Sequence, residues 1–135
     1  MQSSVITSKR GRLVVIEAAV DIQRSPEAVF DYCSDHTHEP EWNSKMKDVA
    51  KLTDTPIGVG TRYRMQFTSA PAVISECVRF ERPSVWEMVG RSRAMTFGWR
   101  GRMRPELERD IATIKARLEG AGPPPPGSAA GAPSR

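Results

Sequence analysis

The stretch VDIQRSPEAVFDYCSD, residues 20–35, changes its hydrophobic period within a few positions. In residues 14–22, which overlap its start, every even position is apolar, whereas the odd positions include Glu17 and Asp21, as is typical of a half-buried strand. Ser25 then provides a good N-cap and Pro26 suits the first helical position. The stretch therefore predicts a strand that leads directly into a short amphipathic helix.

The segment DYCSDHTHEPEWN, residues 31–43, raises the question of a metal or catalytic site. Zinc sites need three or four ligands, whereas Cys33, His36 and His38 have an atypical spacing and the chain has no other histidine. Cys33 falls on the apolar face of the predicted helix, where a thiol is usually inert, and this argues against a Cys–His nucleophile. We therefore interpret the segment as a corner pinned by Trp42 and predict no metal.

Five strands are predicted after the corner. The clearest is TRYRMQFT, residues 61–68, which places Tyr63, Met65 and Phe67 on one face and Arg62 and Arg64 on the other. The others are predicted at residues 46–53, 73–82, 85–92 and 94–103, with Trp86, Met88, Phe97 and Trp99 on apolar faces.

A helix is predicted after the last of these strands. Pro105 is expected to open it and Gly120 to stop it. Its apolar face is formed by Leu107, Ile111, Ile114 and Leu118, at helical spacing. An antiparallel sheet with one apolar face needs a cover, and this helix is long and apolar enough to provide it.

The two ends of the chain carry little that could form a core. Residues 1–12 are expected to be flexible, and residues 121–135 form a Pro/Gly/Ala tail expected to be disordered. One domain, residues 13–120, remains. The alternating run after residue 12 contains Glu17 and Asp21, so it predicts neither a signal peptide nor a membrane span.

Net charge and cysteine content give only weak evidence about binding partners and cellular environment. The net charge of +4 permits an anionic partner without requiring one. The late arginines lie on the face opposite Phe97 and Trp99, which favours a solvated sheet face over a nucleic-acid surface. Cys33 and Cys77 fall in different predicted elements; a disulfide between them is weakly supported, and reduced thiols in a cytoplasmic protein are the simpler interpretation.

Three motifs together resemble a known superfamily. They are VDIQRSPEAVFDYCSD with EPEWN, then KLTDTPIGVGTRYR, and finally RPELERDIATIKARLEG. The chain resembles the START-like, helix-grip (SRPBCC) superfamily, in its polyketide cyclase/dehydrase and lipid-transport-like branch. The resemblance implies an α+β fold in which an antiparallel sheet of about six strands wraps the C-terminal helix. One strand of the family pattern is missing before that helix, and an unpaired sheet edge could then support a homodimer.

The resemblance also implies a pocket for a small apolar molecule between sheet and helix, with no cofactor. The predicted ligand-binding residues are Tyr63, Met65, Phe67, Trp86, Met88, Phe97, Trp99, Leu107 and Ile111. Two alternatives stay open: a polyketide cyclase or dehydratase, and a non-catalytic interaction module that pairs through the sheet edge. Glu76 is a weak catalytic candidate, because it shares the register of Ile74 and Val78, although a bulge or an arginine partner could turn it outward.

Overall fold

The structure is a computed structural model that describes residues 2–9, 12–91 and 100–120. In chain order its elements are β1 (Gln2–Lys9), β2 (Arg12–Ala19), α1 (Pro26–Ser34), a 3-10 helix named here the corner helix (His36–Glu41), β3 (Met46–Lys51), β4 (Arg62–Phe67), β5 (Val73–Glu81), β6 (Val85–Arg91) and α2 (Arg100–Leu118). The predicted α+β class, with antiparallel strands and a C-terminal helix, is confirmed. The chain divides into two compact units, Met1–Arg24 with Thr96–Arg135 and Ser25–Met95.

The first unit contains a strand that the sequence did not predict. Residues 1–12 were expected to be flexible, but β1 pairs with β2 in antiparallel register, from Gln2 opposite Ala19 to Lys9 opposite Arg12. The expectation of a flexible end overlooked the run Val5-Ile6-Thr7, whose β-branched side chains favour a strand. In the ladder these residues pair with the apolar run Val14-Val15-Ile16 of β2, with Val5 opposite Ile16.

Helix α2 packs on β2 within the same unit. Its predicted apolar face is confirmed, because Ile111, Ile114 and Leu118 are buried, while Leu107 is half-buried. The predicted start is wrong. The helix begins at Arg100 and contains Pro105, which costs one backbone hydrogen bond because proline has no N–H to donate.

The second unit begins with α1, whose predicted start is confirmed. Ser25 is the N-cap, and its Oγ accepts a hydrogen bond from the backbone N–H of Ala28 at 3.2 Å. Pro26 occupies the first turn, and Glu27 adds a negative charge where the helix dipole favours one. The helix buries Phe30 and Cys33.

The strands of the second unit form an antiparallel sheet in the order β3-β4-β5-β6. One face, named here the inner face, carries a buried cluster of Met46, Val49, Tyr63 and Met65, with Phe67 and Met88 packed against it. The opposite, outer face includes the exposed side chains of Arg62 and Arg64. The alternation predicted for residues 61–68 is therefore confirmed.

Strand β5 has the opposite register to the predicted one over its first half. Ser75 and Cys77 are buried, whereas Ile74 and Val78 are exposed. The pairing of β5 with β6 shifts between Cys77 and Arg79, as at a β-bulge. Beyond the shift Phe80 is half-buried and contacts the ring of Phe30. The bulge reverses which positions face inward, which a strict period of two cannot anticipate.

Several predictions lie outside the described residues. The strand predicted at 94–103 conflicts with the structure at its end, where α2 has already begun, and its residues 94–99 are not described. The tail at 121–135 is likewise outside the described part. The single domain at 13–120 and the homodimer stay predictions.

Candidate functional site

The inner face of the sheet brings together four of the predicted ligand-binding residues. Tyr63 is fully buried and Met65 nearly so, and both belong to the cluster that Phe67 and Met88 flank. All four are apolar or aromatic, as in most small-molecule sites. Four further predicted residues are not assigned to this face: Leu107 and Ile111 belong to the other compact unit, and Phe97 and Trp99 lie outside the described residues.

Trp86 occupies a second aromatic group in the same unit. The ring of Phe30 meets the rings of Phe80 and Trp86 edge to face, at centroid distances of 5.1 and 5.4 Å. Such edge-to-face pairs stabilise a packed arrangement beyond the area they bury. These ring contacts hold α1 against β5 and β6. They also place the indole of Trp86 beside the corner helix.

A chain of hydrogen bonds, named here the corner network, joins Trp86 to the corner helix. The indole N–H of Trp86 donates to Nε2 of His36 at 3.1 Å. On the other side of the ring, Nδ1 of His36 lies 3.0 Å from Oε1 of Glu39. The second carboxyl oxygen of Glu39 accepts from the side-chain amide of Asn43 at 3.3 Å. Both His36 and Glu39 are buried, with 9% and 7% of their surface exposed.

This geometry determines the tautomer of His36. An indole N–H can only donate, so Nε2 must carry a lone pair and the proton must sit on Nδ1. That proton is donated to Glu39. Both ring nitrogens are therefore engaged, and His36 has no free nitrogen with which to serve as a base in this arrangement.

The corner network has a sequence signal that the analysis of residues 31–43 did not use. His36, Glu39 and Asn43 are spaced three and four positions apart, the spacing at which side chains on one helical face meet. Asp35 supports the turn as its N-cap, since its Oδ1 accepts from the backbone N–H of Thr37 at 3.1 Å. The predicted anchor, Trp42, also contributes, through a bond from its backbone N–H to the carbonyl of Glu39.

Tyr63 lies against this network without joining it. Its ring meets the His36 ring at a centroid distance of 5.4 Å. Its hydroxyl is buried and has no hydrogen-bond partner in the described part of the chain. Burial, reinforced by the charge of Asp35, raises the pKa of Tyr63 to about 12, while the backbone of His36 acts in the opposite direction.

The cysteines of this unit are poor nucleophiles. Burial raises the pKa of Cys33 to about 12, so its thiolate is scarce near neutral pH. Burial also raises the pKa of Cys77, whose thiol donates to the carbonyl of Arg79 at 3.2 Å. Since His36 is engaged elsewhere, the structure does not assemble a Cys–His pair.

The second histidine of the corner lies near the surface. His38 stacks on Tyr32 and has carboxyl groups of Asp35 and Glu41 within 3.6 and 3.3 Å. Among residues 2–9, 12–91 and 100–120, no group of three or more His, Cys, Asp and Glu side chains is arranged to hold a metal ion. In the same ranges no helix combines the length and the apolar character needed to cross a membrane.

Glu76 lies on the outer face. It is exposed and pairs in register with Arg62 on one side and Val89 on the other. The outward orientation that the sequence analysis favoured is therefore observed, next to a bulge. An acid or base acting on a molecule at the inner face would have to come from elsewhere.

A shallow, open groove of about 270 Å³ lies within the other unit. It runs between the end of β2, at residues 17–20, and the face of α2 that carries Arg104, Glu108 and Ile111. Ile111 is a predicted ligand-binding residue, but charged side chains form much of the lining.

Comparison with known proteins adds one finding. Residues 14–135 match the family model described as polyketide cyclase / dehydrase and lipid transport. No curated protein and no solved structure matches the chain.

Proposed function

The chain belongs to the polyketide cyclase / dehydrase and lipid transport family, and from this we propose that it binds a small apolar molecule, lipid-like or polyketide-like, at the inner face of its four-stranded sheet. The observation that supports the proposal is the composition of that face. Its cluster contains Met46 and Met65, with Met88 packed against it. Methionine side chains are unbranched and polarizable, and they adapt to varied apolar shapes.

We propose binding without chemistry, because the groups that could act on a ligand are committed elsewhere. His36 uses both ring nitrogens in the corner network. The Cys33 thiol is held in its neutral form by burial, and Glu76 faces outward. The alternative of a cyclase or dehydratase would require an acid or base that faces the ligand.

Ligand binding can be tested with two adjacent residues of β6 that face opposite sides of the sheet. Met88 packs on the inner cluster, whereas Val89 is 48% exposed on the outer face. Binding of fatty acids and polycyclic aromatic compounds is measured by thermal shift and native mass spectrometry. Met88→Gln is expected to weaken binding about tenfold, because it places an amide against an apolar ligand. Val89→Gln, the matched control, is expected to leave it unchanged.

Two results would count against the proposal. If no compound of the panel stabilises the well-folded wild type, the inner face is an ordinary core. If Val89→Gln weakens binding as much as Met88→Gln, the ligand occupies another surface.

A further inference from the structure

The hydroxyl of Tyr63 stands out among the buried polar groups. The residue has no exposed surface, and its hydroxyl has no hydrogen-bond partner in the described part of the chain. A buried hydroxyl without a partner destabilises a fold, and nearly all such groups in native proteins are satisfied. An exception of this kind calls for a partner outside the described part of the chain.

The corner network cannot supply that partner in its present arrangement. The acceptor nitrogen of His36, the residue whose ring touches Tyr63, already receives the indole N–H of Trp86. The backbone of His36 lowers the pKa of Tyr63, as expected of an N–H directed at the phenolic oxygen. Because an N–H can only donate, it provides no acceptor for the phenolic proton. Each oxygen of Glu39 is engaged by a donor of the network.

A second donor of the same region is also unsatisfied. The indole Nε1 of Trp42, which caps the end of the corner helix, is buried without a partner among the residues that the structure describes. Like the phenolic proton of Tyr63, it can only be satisfied by an acceptor. Two buried donors near the corner helix, in Tyr63 and Trp42, therefore lack an acceptor among the described residues.

We propose that Tyr63 is the polar anchor of the ligand site, and that its hydroxyl donates a hydrogen bond to a neutral carbonyl oxygen of an otherwise apolar ligand. The inference rests on the proposed function and narrows its ligand class. Tyr63 belongs to the apolar cluster of the inner face, so a ligand held there places its oxygen at the hydroxyl. Met46 and Met65 of the same cluster can change rotamer to admit it.

The charge near the hydroxyl argues for a neutral acceptor. The carboxylate of Asp35 disfavours a negative charge on the Tyr63 oxygen. The same field disfavours a carboxylate of a ligand at that position, and burial adds to the penalty. A ketone accepts the hydrogen bond without either cost. The site is therefore expected to prefer apolar ketones over fatty acids of equal length.

The test uses probes that differ by one functional group. Fluorenone and fluorene have the same shape, but only fluorenone has a carbonyl; 2-tridecanone, tridecane and tridecanoic acid provide a linear series. Dissociation constants are measured for the full chain by calorimetry. The wild type is expected to bind each ketone about tenfold more tightly than its hydrocarbon, which corresponds to one neutral hydrogen bond. It is also expected to bind 2-tridecanone more tightly than tridecanoic acid.

The chain offers a matched pair of variants, because it has only two tyrosines. Tyr63→Phe removes the unpartnered hydroxyl and is expected to abolish the preference for ketones while retaining hydrocarbon binding. Tyr32→Phe removes an exposed hydroxyl that donates to Glu41 at 2.9 Å, and is expected to leave the preference unchanged. A second readout is the melting temperature without ligand. Tyr63→Phe should remain folded and melt close to the wild type, because the hydroxyl proton it removes has no acceptor in the described part of the chain.

The outcomes separate this inference from the proposed function. If the probes bind but ketones are not preferred, or if Tyr63→Phe keeps the preference, Tyr63 is not the anchor and apolar binding still stands. If none of the five probes binds the folded wild type, the proposed function itself fails.

Discussion

The corner helix and the outer surface of the same unit hold their polar side chains in opposite ways. In the corner, His36 and Glu39 are buried and bonded in a single network. On the surface, Arg82 pairs with Asp31 at 2.7 Å, but both side chains are about half exposed. Water can replace a lost partner on the surface and cannot do so in the corner. Burial, rather than the number of ion pairs, should therefore decide which polar contacts stabilise this fold.

The two histidines of the corner helix provide the sharpest test of this difference. His36→Ala leaves the buried carboxyl group of Glu39 and the indole of Trp86 without their partner, so we expect a loss of about 3–5 kcal/mol in the free energy of unfolding. His38→Ala removes only contacts near the surface and should cost under about 0.5 kcal/mol. Urea unfolding of the two variants measures both values. Equal costs would contradict the distinction between corner and surface.

A pair of tryptophans tests one bond of the network. Trp86→Phe removes the N–H that satisfies His36, whereas Trp42→Phe removes an N–H that has no partner within ranges 2–9, 12–91 and 100–120. Both side chains are half-buried, so each variant loses comparable ring area. We expect Trp86→Phe to be the more destabilising variant by about 1–2 kcal/mol, again by urea unfolding. A larger cost for Trp42→Phe would show that its indole N–H is satisfied after all.

High pH should weaken the corner through Tyr63. Its pKa is about 12 in the folded protein against an ordinary value of 10.0, so the folded state binds more protons than the unfolded state between these values. The contribution of Tyr63 to the free energy of unfolding is constant below pH 10 and is lost as the pH rises toward 12. Denaturant titrations across this range should show a shallower loss of stability in Tyr63→Phe than in the wild type. Tyr32→Phe is the control and should lose stability with pH as steeply as the wild type. If Tyr63→Phe loses stability just as steeply, the loss does not come from the titration of Tyr63.

These predictions concern a site that the sequence showed only in part. The alternation of Tyr63, Met65 and Phe67 identified the inner face correctly, because β4 is regular along its length. In β5 the same argument predicted that the side chains of Ile74 and Val78 point to the inner face. With the bulge between Cys77 and Arg79, both lie on the outer face instead. A bulge inserts a residue without changing the composition of a strand, so the pattern alone could not locate it.

The corner network illustrates a different limit of sequence analysis. The cluster of polar residues at 31–43 was recognised, and its metal and nucleophile interpretations were weighed against a structural corner. What could not be foreseen is the partner: Trp86 lies 50 positions away and reaches His36 only after β6 has paired with β5. The tautomer of His36 follows from that long-range contact. Local patterns predict elements, whereas the roles of buried polar side chains depend on which elements meet.

The smallest expected effect concerns the surface pair. The Arg82 guanidinium, bonded to both carboxyl oxygens of Asp31, holds the pKa of Asp31 below its ordinary value of 3.8. A carboxyl group whose pKa is lowered in the folded state stabilises the fold at pH values above its ordinary pKa. This stabilisation is lost as the pH falls through the pKa of the folded state. Arg82→Gln should raise the pKa of Asp31 toward 3.8, measured by NMR titration of the side-chain carboxyl carbon.

The matched control for this pair is Arg79→Gln. Arg79 is equally exposed but bonds to Glu81, so its removal should leave the titration of Asp31 unchanged. Added salt should reduce the shift in the wild type, because water and ions screen exposed charges. A shift that survives high salt, or a loss of stability in Arg82→Gln close to that of His36→Ala, would mean that the surface pair behaves as a buried one. Burial would then not be the property that separates the two regions.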